Sequence, residues 1–431
     1  MKKIKRIIHL LLAWSAYWFY GRPARKLVVI GVTGTKGKST TCRLIASVLE
    51  AGGHKVGLLS TVEFQIGEKR WLNDKKMTML GRGQIQRMLR QMVNKKCTHA
   101  IIETSSEGIL QCRHLGLNYD VAVFTNLGTE HSERHGGYEK LRDDKGKMFA
   151  ALLAQPRKTI HGDVVPKVII ANGDDPEAKF FLSFPADKKY LFTFDQSLAP
   201  VEGVGVVPAQ IESKQHGFMV GNNEFYGLRL IGKFNCENAL AAVVVGKSFG
   251  VAPDQIAKGI MSVELVPGRM EFIDEGQPFK VVVDFAHEPL SLTALFTTLR
   301  KLTAGKLIAV VGSDGGGRDV LKRPRMGEIA GRLADIVVIS DVNCYDEDPK
   351  KIAEMLAKGA RGAGKKDQCD LFVIIDRRQA IKQAFLLAKP GDIVTITAKG
   401  TEPYIGIAKG RKIPWDDRKV SRELIREIYV P

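Results

Sequence analysis

Short runs of apolar and β-branched residues recur along this chain, each followed by enough residues for a helix. That alternation limits the fold more than any other feature. KLVVIGV (26–32), HAIIET (99–104), DVAVFTN (120–126) and KVIIAN (167–172) form a first set. FKVVVDFAH (279–287), KLIAVVG (306–312), DIVVISD (335–341), LFVIID (371–376) and DIVTITA (392–398) form a second. Strands that are apolar at nearly every position are buried on both faces, the condition of a parallel sheet covered by helices on each side. The expected fold is α/β: a central domain built on a mostly parallel sheet, and a C-terminal Rossmann-like α/β domain. Residues 190–230 are richer in Gly, Phe and polar residues and read as irregular β structure. A Pro-Gly break in LVPGRME (265–271) follows a helical segment and sets the expected boundary. The division is an N-terminal stub over 1–24, a central domain over 25–266 and a C-terminal domain over 267–431.

Lys and Arg number 65 against 47 Asp and Glu, a formal net charge of +18, which favours anionic partners or serves as a basic solubilising surface. The cations are spread along the chain with no interleaved aromatic-and-basic module, so no nucleic acid is expected. The cysteines form no CxxC pair, which leaves metal and redox motifs unsupported. With no cleavable signal pattern, a reducing cytoplasm is the expected location.

The N-terminus departs from this ordinary composition. IIHLLLAWSAYWFY (7–20) is preceded by Lys2, Lys3, Lys5 and Arg6 and followed by Arg22, Arg25 and Lys26. A helix of that length reaches about 21 Å, short of the roughly 30 Å hydrocarbon core. Three readings stay open: a signal-like or spanning segment, a helix packed on its own protein, or one lying in a membrane interface through residues 2–26. In the third, the protein is peripheral at the membrane.

GVTGTKGKSTT (31–41) joins the first apolar run to the helical stretch KSTTCRLIASVLEAGG. Strand, glycine-rich turn and helix is the context of a phosphate-binding loop, where backbone N–H groups and a helix N-terminus cradle phosphates. Lys38 would reach the outer phosphates and Ser39 would bind Mg²⁺. The match to GxxxxGK[ST] is not literal, because Val32 stands where its first Gly belongs.

The variant TGTxGK[ST]T resembles the Mur ligase superfamily of ATP-dependent amide-forming enzymes, and further matches follow in that family's order. IIETSSEGI (101–109), TNLGTEHSERHGGYEKLRDDKGKMF (125–149) and GKFNCENALAA (232–242) are similar to three of its central motifs. PGRME (267–271), VDFAHEPLSL (283–292), GGGRDVLKRPRMG (315–327), AKGTEPY (398–404) and WDDRKVSRELI (415–425) are similar to motifs of its C-terminal half. The resemblance covers residues 26–425 and is nearest to the branch that adds the third residue of the peptidoglycan stem peptide.

The resemblance implies roles residue by residue. Gly34, Thr35, Gly37, Lys38, Ser39 and Thr40 would hold ATP phosphates, and Asn238 would contact the adenine. Ser39, Glu103, His131 and Lys145 would serve Mg²⁺, with Lys145 carried as a carbamate. Lys38, His131, Lys145 and Arg269 are the implied catalytic residues, Arg269 as a γ-phosphate cation. Asp284 and His287 would meet ATP with it, and Asn343, Tyr345, Lys399 and Glu402 would face the incoming amino acid. On the residues alone, Lys145 could equally be a helix lysine paired with Asp143 or Asp144. The implied partners are a muramyl-peptide-like acyl acceptor and an amino acid.

Three departures qualify the resemblance. The family's diaminopimelate-adding enzymes carry DNPR, whereas SDVNCYDEDP (340–349) keeps Asn343 but has Cys344 for Pro and Tyr345 for Arg. Tyrosine cannot form the bidentate pair that arginine makes with a carboxylate, so lysine or another amino acid fits as well. GKGHE has likewise become AKGTE, with Thr401 in the His position. Relatives also carry a uridine-binding domain ahead of the loop, and about thirty residues are too few for one. Either the uridine nucleotide binds elsewhere on the chain, or the acceptor lacks UDP and has another carrier, such as a lipid. Competing readings keep the chemistry with another acceptor (folylpolyglutamate, amidoligase or poly-amino-acid synthetase types), or make the chain a regulatory P-loop ATPase attached to membrane or nucleic acid.

Overall fold

The computed structural model describes residues 2–128, 135–160, 162–212, 215–221, 223–317 and 320–429. They divide into two compact units, Met1–Glu264 and Leu265–Pro431.

In the first unit, the chain enters through helix α1 (Lys2–Phe19) and a short turn at Pro23–Lys26 into strand β1 (Val28–Thr33). Helix α2 (Lys38–Ala51) follows, then β2 (Val56–Leu59), β3 (Glu63–Ile66), β4 (Lys69–Leu72), helix α3 (Arg82–Asn94), β5 (His99–Glu103), the short helix α4 (Ser106–Leu110) and β6 (Val121–Phe124). A helix at Tyr138–Ala154 and a small hairpin, β7 (Thr159–Ile160) and β8 (Asp163–Val164), precede β9 (Val168–Asn172) and β10 (Lys188–Thr193). The segment expected to be irregular is instead a regular antiparallel extension, β11 (Gly205–Glu212), β12 (Gly217–Val220) and β13 (Glu224–Gly227). Helices at Lys233–Ser248 and Pro253–Met261 close the unit.

One sheet of eleven strands runs β13-β12-β11-β10-β9-β6-β1-β5-β2-β3-β4. Its middle is parallel, and every residue of β1, β5, β6 and β9 is buried. Each fully buried Val or Ile there contributes about 1.5–3 kcal/mol, which is why unbroken apolar runs identify these strands. The antiparallel edges lack such runs. Beneath the middle strands, the buried carboxylate of Asp120 accepts from Lys158 at 2.6 Å, Lys167 at 2.9 Å and the Val29 N–H at 2.8 Å. That contact ties the start of β1 to the segments flanking β6 and β9.

Helix α1 lies on the first unit. Its inward residues Ala13 and Tyr17 are buried, and the Tyr17 ring packs over Gly116 with no room for a side chain there. The Arg90 guanidinium of α3 holds the C-terminal end of α1, donating 2.7 Å bonds to the carbonyls of Tyr20 and Gly21. Among the described residues, no helix is long and apolar enough to cross a membrane.

The second unit carries β14 (Glu271–Ile273), β15 (Lys280–Val283), β16 (Leu307–Val311), β17 (Ile336–Ile339), β18 (Leu371–Val373) and β19 (Ile393–Ile396) in the order β14-β15-β19-β16-β17-β18. All pairs are parallel except β14 with β15. Helices at Pro289–Leu302, Lys322–Leu333, Pro349–Gly362, Arg377–Leu387 and Asp417–Tyr429 alternate with or follow these strands. A hairpin, β20 (Tyr404–Gly406) and β21 (Lys412–Pro414), follows β19. Both units are the α/β layers expected from the apolar runs.

Candidate active site

The glycine-rich loop leaves the C-terminal end of β1, between β5 and β6, where open α/β sheets place ligands. Its shape depends on two glycines. Gly34 has φ +150°, and a Cβ there would collide with the Thr125 hydroxyl. Gly37 has φ +80°, and a Cβ there would collide with the Asn238 carboxamide. Gly37 is also the N-cap of α2 and supplies no side chain, so the helix opens onto the loop through backbone alone.

The segment that follows β6 clamps the loop. Thr35 N–H donates to the Asn126 carbonyl and Lys36 N–H to the Asn126 side-chain oxygen, both at 2.8 Å. The Thr125 hydroxyl donates to the Lys36 carbonyl at 2.7 Å, and Gly128 N–H donates to the Thr35 hydroxyl at 2.8 Å. Thr35 thus stabilises the loop through its side chain as well as its backbone.

Two ammonium groups converge on one loop carbonyl. Lys38 Nζ donates to Gly34 O at 3.1 Å and to Thr35 O at 2.9 Å, and Lys145 Nζ donates to the same Gly34 O at 2.9 Å. Lys145 is buried, though it lies on the helix Tyr138–Ala154, remote in sequence from the loop. The carboxylates beside it bond elsewhere: Asp144 accepts from His135 Nδ1 at 2.6 Å and from Lys147, and Asp143 accepts from Arg142.

Glu103 ends β5 in register with Val32. The Ser39 hydroxyl donates to its Oε2 at 2.8 Å, and Thr61 donates to it through its N–H at 2.7 Å and its hydroxyl at 2.9 Å. Ser39 and Glu103 are both buried. Two hard oxygen donors this close suit Mg²⁺, which takes few protein ligands and completes its shell with water and phosphate. No group of three or more His, Cys, Asp or Glu that could hold a metal occurs among the described residues. His131 lies outside the described residues. Under the loop, burial pushes the Cys42 thiol well above its ordinary pKa, with the Glu103 charge adding to the effect.

Asn238 sits beneath the loop. Its side-chain oxygen accepts from the Thr41 hydroxyl at 3.1 Å and its amide donates to Asn235 at 3.1 Å. Thr40 is buried in the first turn of α2.

In the second unit, the predicted residues cluster beyond the C-terminal ends of the parallel strands. Asn343, after β17, donates to Asp314 at 2.7 Å and Glu402 at 3.1 Å, and accepts from Gly406 N–H at 2.9 Å. Lys399, after β19 and with no exposed surface, donates to Glu402 at 2.9 Å and to the Tyr404 carbonyl at 2.8 Å. Tyr345, at φ +53°, donates its N–H to the Gly406 carbonyl at 3.1 Å, and its ring packs on Gly406 and Gly316. Burial pushes the neighbouring Cys344 thiol up to about 11, helped by the charge of Asp341, so the residue that replaces proline stays protonated.

After β15, Asp284 accepts backbone N–H groups with both oxygens, from Met270 at 2.7 Å and Ala286 at 2.6 Å. His287 shares a 2.7 Å hydrogen bond between Nδ1 and the Phe285 carbonyl. The Arg269 guanidinium lies 4.4 Å from the Phe285 ring centroid. These three residues therefore build one turn from PGRME and DFAH.

Residues 32–246 match the Mur ligase middle domain, and residues 268–400 match the Mur ligase, glutamate ligase domain. A UDP-N-acetylmuramyl-tripeptide synthetase of Roseiflexus sp. (strain RS-1) is 39% identical over 425 residues, 97% of this chain and 82% of that protein. The chain belongs to the Mur ligase family. This Mur ligase is an ATP-dependent, ADP-forming acid–amino-acid ligase. A second similar relative is the UDP-N-acetylmuramoyl-L-alanyl-D-glutamate--2,6-diaminopimelate ligase of Geobacillus kaustophilus (strain HTA426), 35% identical across 95% of this chain and 81% of its own. A solved structure of a ligase with that name matches 93% of this chain and 78% of its own at TM-score 0.60 and 29% identity. The Mycobacterium tuberculosis folylpolyglutamate synthase complexed with ADP and AMPPCP matches 97% of this chain at TM-score 0.65 and 16% identity, a likeness of fold alone.

Three further residues that the sequence motifs left unassigned hold the loop and Glu103. Thr61 lies in the turn between the antiparallel strands β2 and β3 and has no local signature, yet fixes both oxygens of Glu103. Thr125 and Asn126 stand inside the matched TNLG motif, where their work on the loop was not separable from the strand's end.

Proposed function

We propose that this Mur ligase joins the carboxylate of a muramyl peptide to the amine of an amino acid in peptidoglycan precursor synthesis. A carboxylate oxygen of the acceptor attacks the γ-phosphorus of ATP, and ADP leaves. The amine then attacks the acyl carbon, phosphate departs with the former carboxylate oxygen, and the nitrogen loses a proton. The observation that carries the reading is the convergence at the head of α2: Lys38 and Lys145 on the Gly34 carbonyl, and Ser39 on Glu103.

Each group has a physical task. Lys38 neutralises phosphate charge as two anions are brought together. The N–H groups of the first turn of α2, from Lys38 to Thr40, face phosphate oxygens. Ser39 and Glu103 hold Mg²⁺, which lowers the electrostatic barrier between nucleotide and carboxylate when bound. Thr61 aims Glu103 by donating two hydrogen bonds to its carboxylate. Lys145 is the site of carbamylation by CO₂. The product exchanges a buried cation for an anion with oxygen donors beside the loop. His131 belongs to the same metal-serving set, and Arg269, Asp284 and His287 to the nucleotide-facing turn. Asn238 supports Gly37 while addressing the base.

Asn343, Tyr345, Lys399 and Glu402 form the frame for the incoming amino acid. Tyr345, packed on Gly406, offers no guanidinium for a distal carboxylate. The added residue is therefore lysine or another amino acid whose distal group needs no such pair. The test is phosphate release from ATP with Mg²⁺, bicarbonate and panels of muramyl peptides and amino acids. Release that depends on both partners supports the reading, and release that needs neither contradicts it. Depleting CO₂ should slow the wild-type enzyme and bicarbonate should restore it. Lys145→Ala should be nearly inactive and indifferent to bicarbonate; a near-normal rate would remove the carbamate.

A further inference from the structure

We propose that helix α1 carries a docking face for an anionic lipid bilayer, so that the first unit works seated on a membrane surface. The claim goes beyond the ligase reading and does not depend on it.

A helix packed on a globular unit normally turns its apolar side inward and its polar side to water. Helix α1 is apolar on both sides. Ala13 and Tyr17 face inward and are buried. On the outer side, Ile7, Leu11, Leu12, Trp14, Trp18 and Phe19 are all exposed, Leu11 by 66%, Trp18 by 61% and Phe19 by 82%. The spacing 7, 11, 14, 18 repeats at the helical period, so these side chains share one stripe. Scattered apolar residues on a surface need no explanation, but a continuous stripe of aliphatic and indole groups marks an interaction site.

Charge identifies the occupant. Lys2, Lys3, Lys5 and Arg6 precede the stripe and Arg22, Arg25 and Lys26 follow it, while the first acidic residue in the sequence is Glu50. The Arg22 guanidinium lies 4.7 Å from the Trp18 ring centroid, so a cation sits against the edge of the apolar face. Apolar and indole groups bordered by cations match the acyl boundary and phosphate headgroups of an anionic leaflet. A second copy of the same face would bring like charges together, which opposes self-association. Eighteen residues make a rod of about 27 Å that lies along a surface. It is a firm mount, because Tyr17 rests on Gly116 and Arg90 holds the Tyr20 and Gly21 carbonyls.

The experiment is co-sedimentation of the full chain with phosphatidylcholine vesicles, with and without phosphatidylglycerol, at low and high salt, beside sedimentation velocity without lipid. The expected result is binding to the anionic vesicles only, weakened by salt, by a monomeric protein. Leu11→Glu with Trp18→Glu should reduce binding at least about tenfold, because two charges enter the apolar boundary. ATP turnover without vesicles should stay unchanged, which shows that the fold survives. Should that variant misfold, Lys2→Gln with Lys3→Gln and Lys5→Gln should lower binding by about tenfold or more, since each cation near an anionic surface contributes. Failure of the wild type to bind anionic vesicles overturns the proposal. So does equal binding to neutral vesicles, or a dimer that Leu11→Glu disperses.

Discussion

The two units place lysines at the C-terminal ends of their sheets in different ways. In the first, Lys38 and Lys145 bond to backbone carbonyls of the loop that they flank. In the second, Lys399 bonds to the carboxylate of Glu402 inside a network with Asn343 and Asp314. Arg377 of the same unit grips Asp417 through two 2.8 Å bonds with both side chains buried. A bond to a carboxylate is stronger than one to a carbonyl and harder to exchange for a substrate anion. The contrast teaches that similar cations at similar places in a sheet take different partners: loop carbonyls in the first unit, and a carboxylate that ties loops together in the second.

The largest effect that could break this contrast is at Lys38. Lys38→Ala should lower ligation about a thousandfold, as loss of a phosphate-neutralising group does, while thermal unfolding barely moves. A large loss of stability would make Lys38 structural, like Lys399. The converse variant is Lys399→Met. It leaves Glu402, partly buried beside Asn343, without its cation and should cost roughly 1–3 kcal/mol, read by denaturant unfolding. An unchanged unfolding midpoint with lost ligation would move Lys399 into the first class.

A smaller effect sharpens the metal reading. Glu103→Gln keeps the shape and removes the charge, and should cost about ten- to a hundredfold in rate, partly recovered at higher Mg²⁺. A loss that Mg²⁺ does not touch would leave Glu103 as a support for Thr61 alone.

A further effect is acid sensitivity in the first unit. Burial, with a lesser push from His54, lowers His99 to about 3, so it is neutral in the folded protein across the neutral range. Its unfolded form titrates near the ordinary value of about 6.5. Above that pH both states are neutral and the full stability is present. Below it the unfolded state binds a proton that the folded state does not, so stability falls by about 1.4 kcal/mol per pH unit until the folded value is reached. His99→Gln should flatten that slope between about pH 6 and 4. An unchanged slope would assign the acid sensitivity to other groups, among them His114, which burial lowers to about 4.

The parallel strands were legible because burial on both faces demands apolar residues at every position, as in β1 and β16. The extension β11 to β13 was not, since strands exposed on one side keep polar residues and look irregular. The loop was legible from its glycines and its helix. The convergence of Lys145 on Gly34 was not, because 111 residues separate the two and only the sheet order brings them together. Thr61 shows the same limit: a turn residue acquires its role from β5, which arrives later in the chain. Helix α1 was legible as apolar, but which side it would turn outward depended on α3.

The central claim is that the acceptor carboxylate becomes an acyl phosphate held at the head of α2. The direct measurement uses a muramyl peptide labelled with heavy oxygen in the reacting carboxylate, incubated with ATP, Mg²⁺, bicarbonate and the amino acid that the panel selects. The inorganic phosphate is then analysed by mass spectrometry. One heavy oxygen carried into each phosphate released is the predicted result. Phosphate without the label, released at the rate of amide formation, would contradict it.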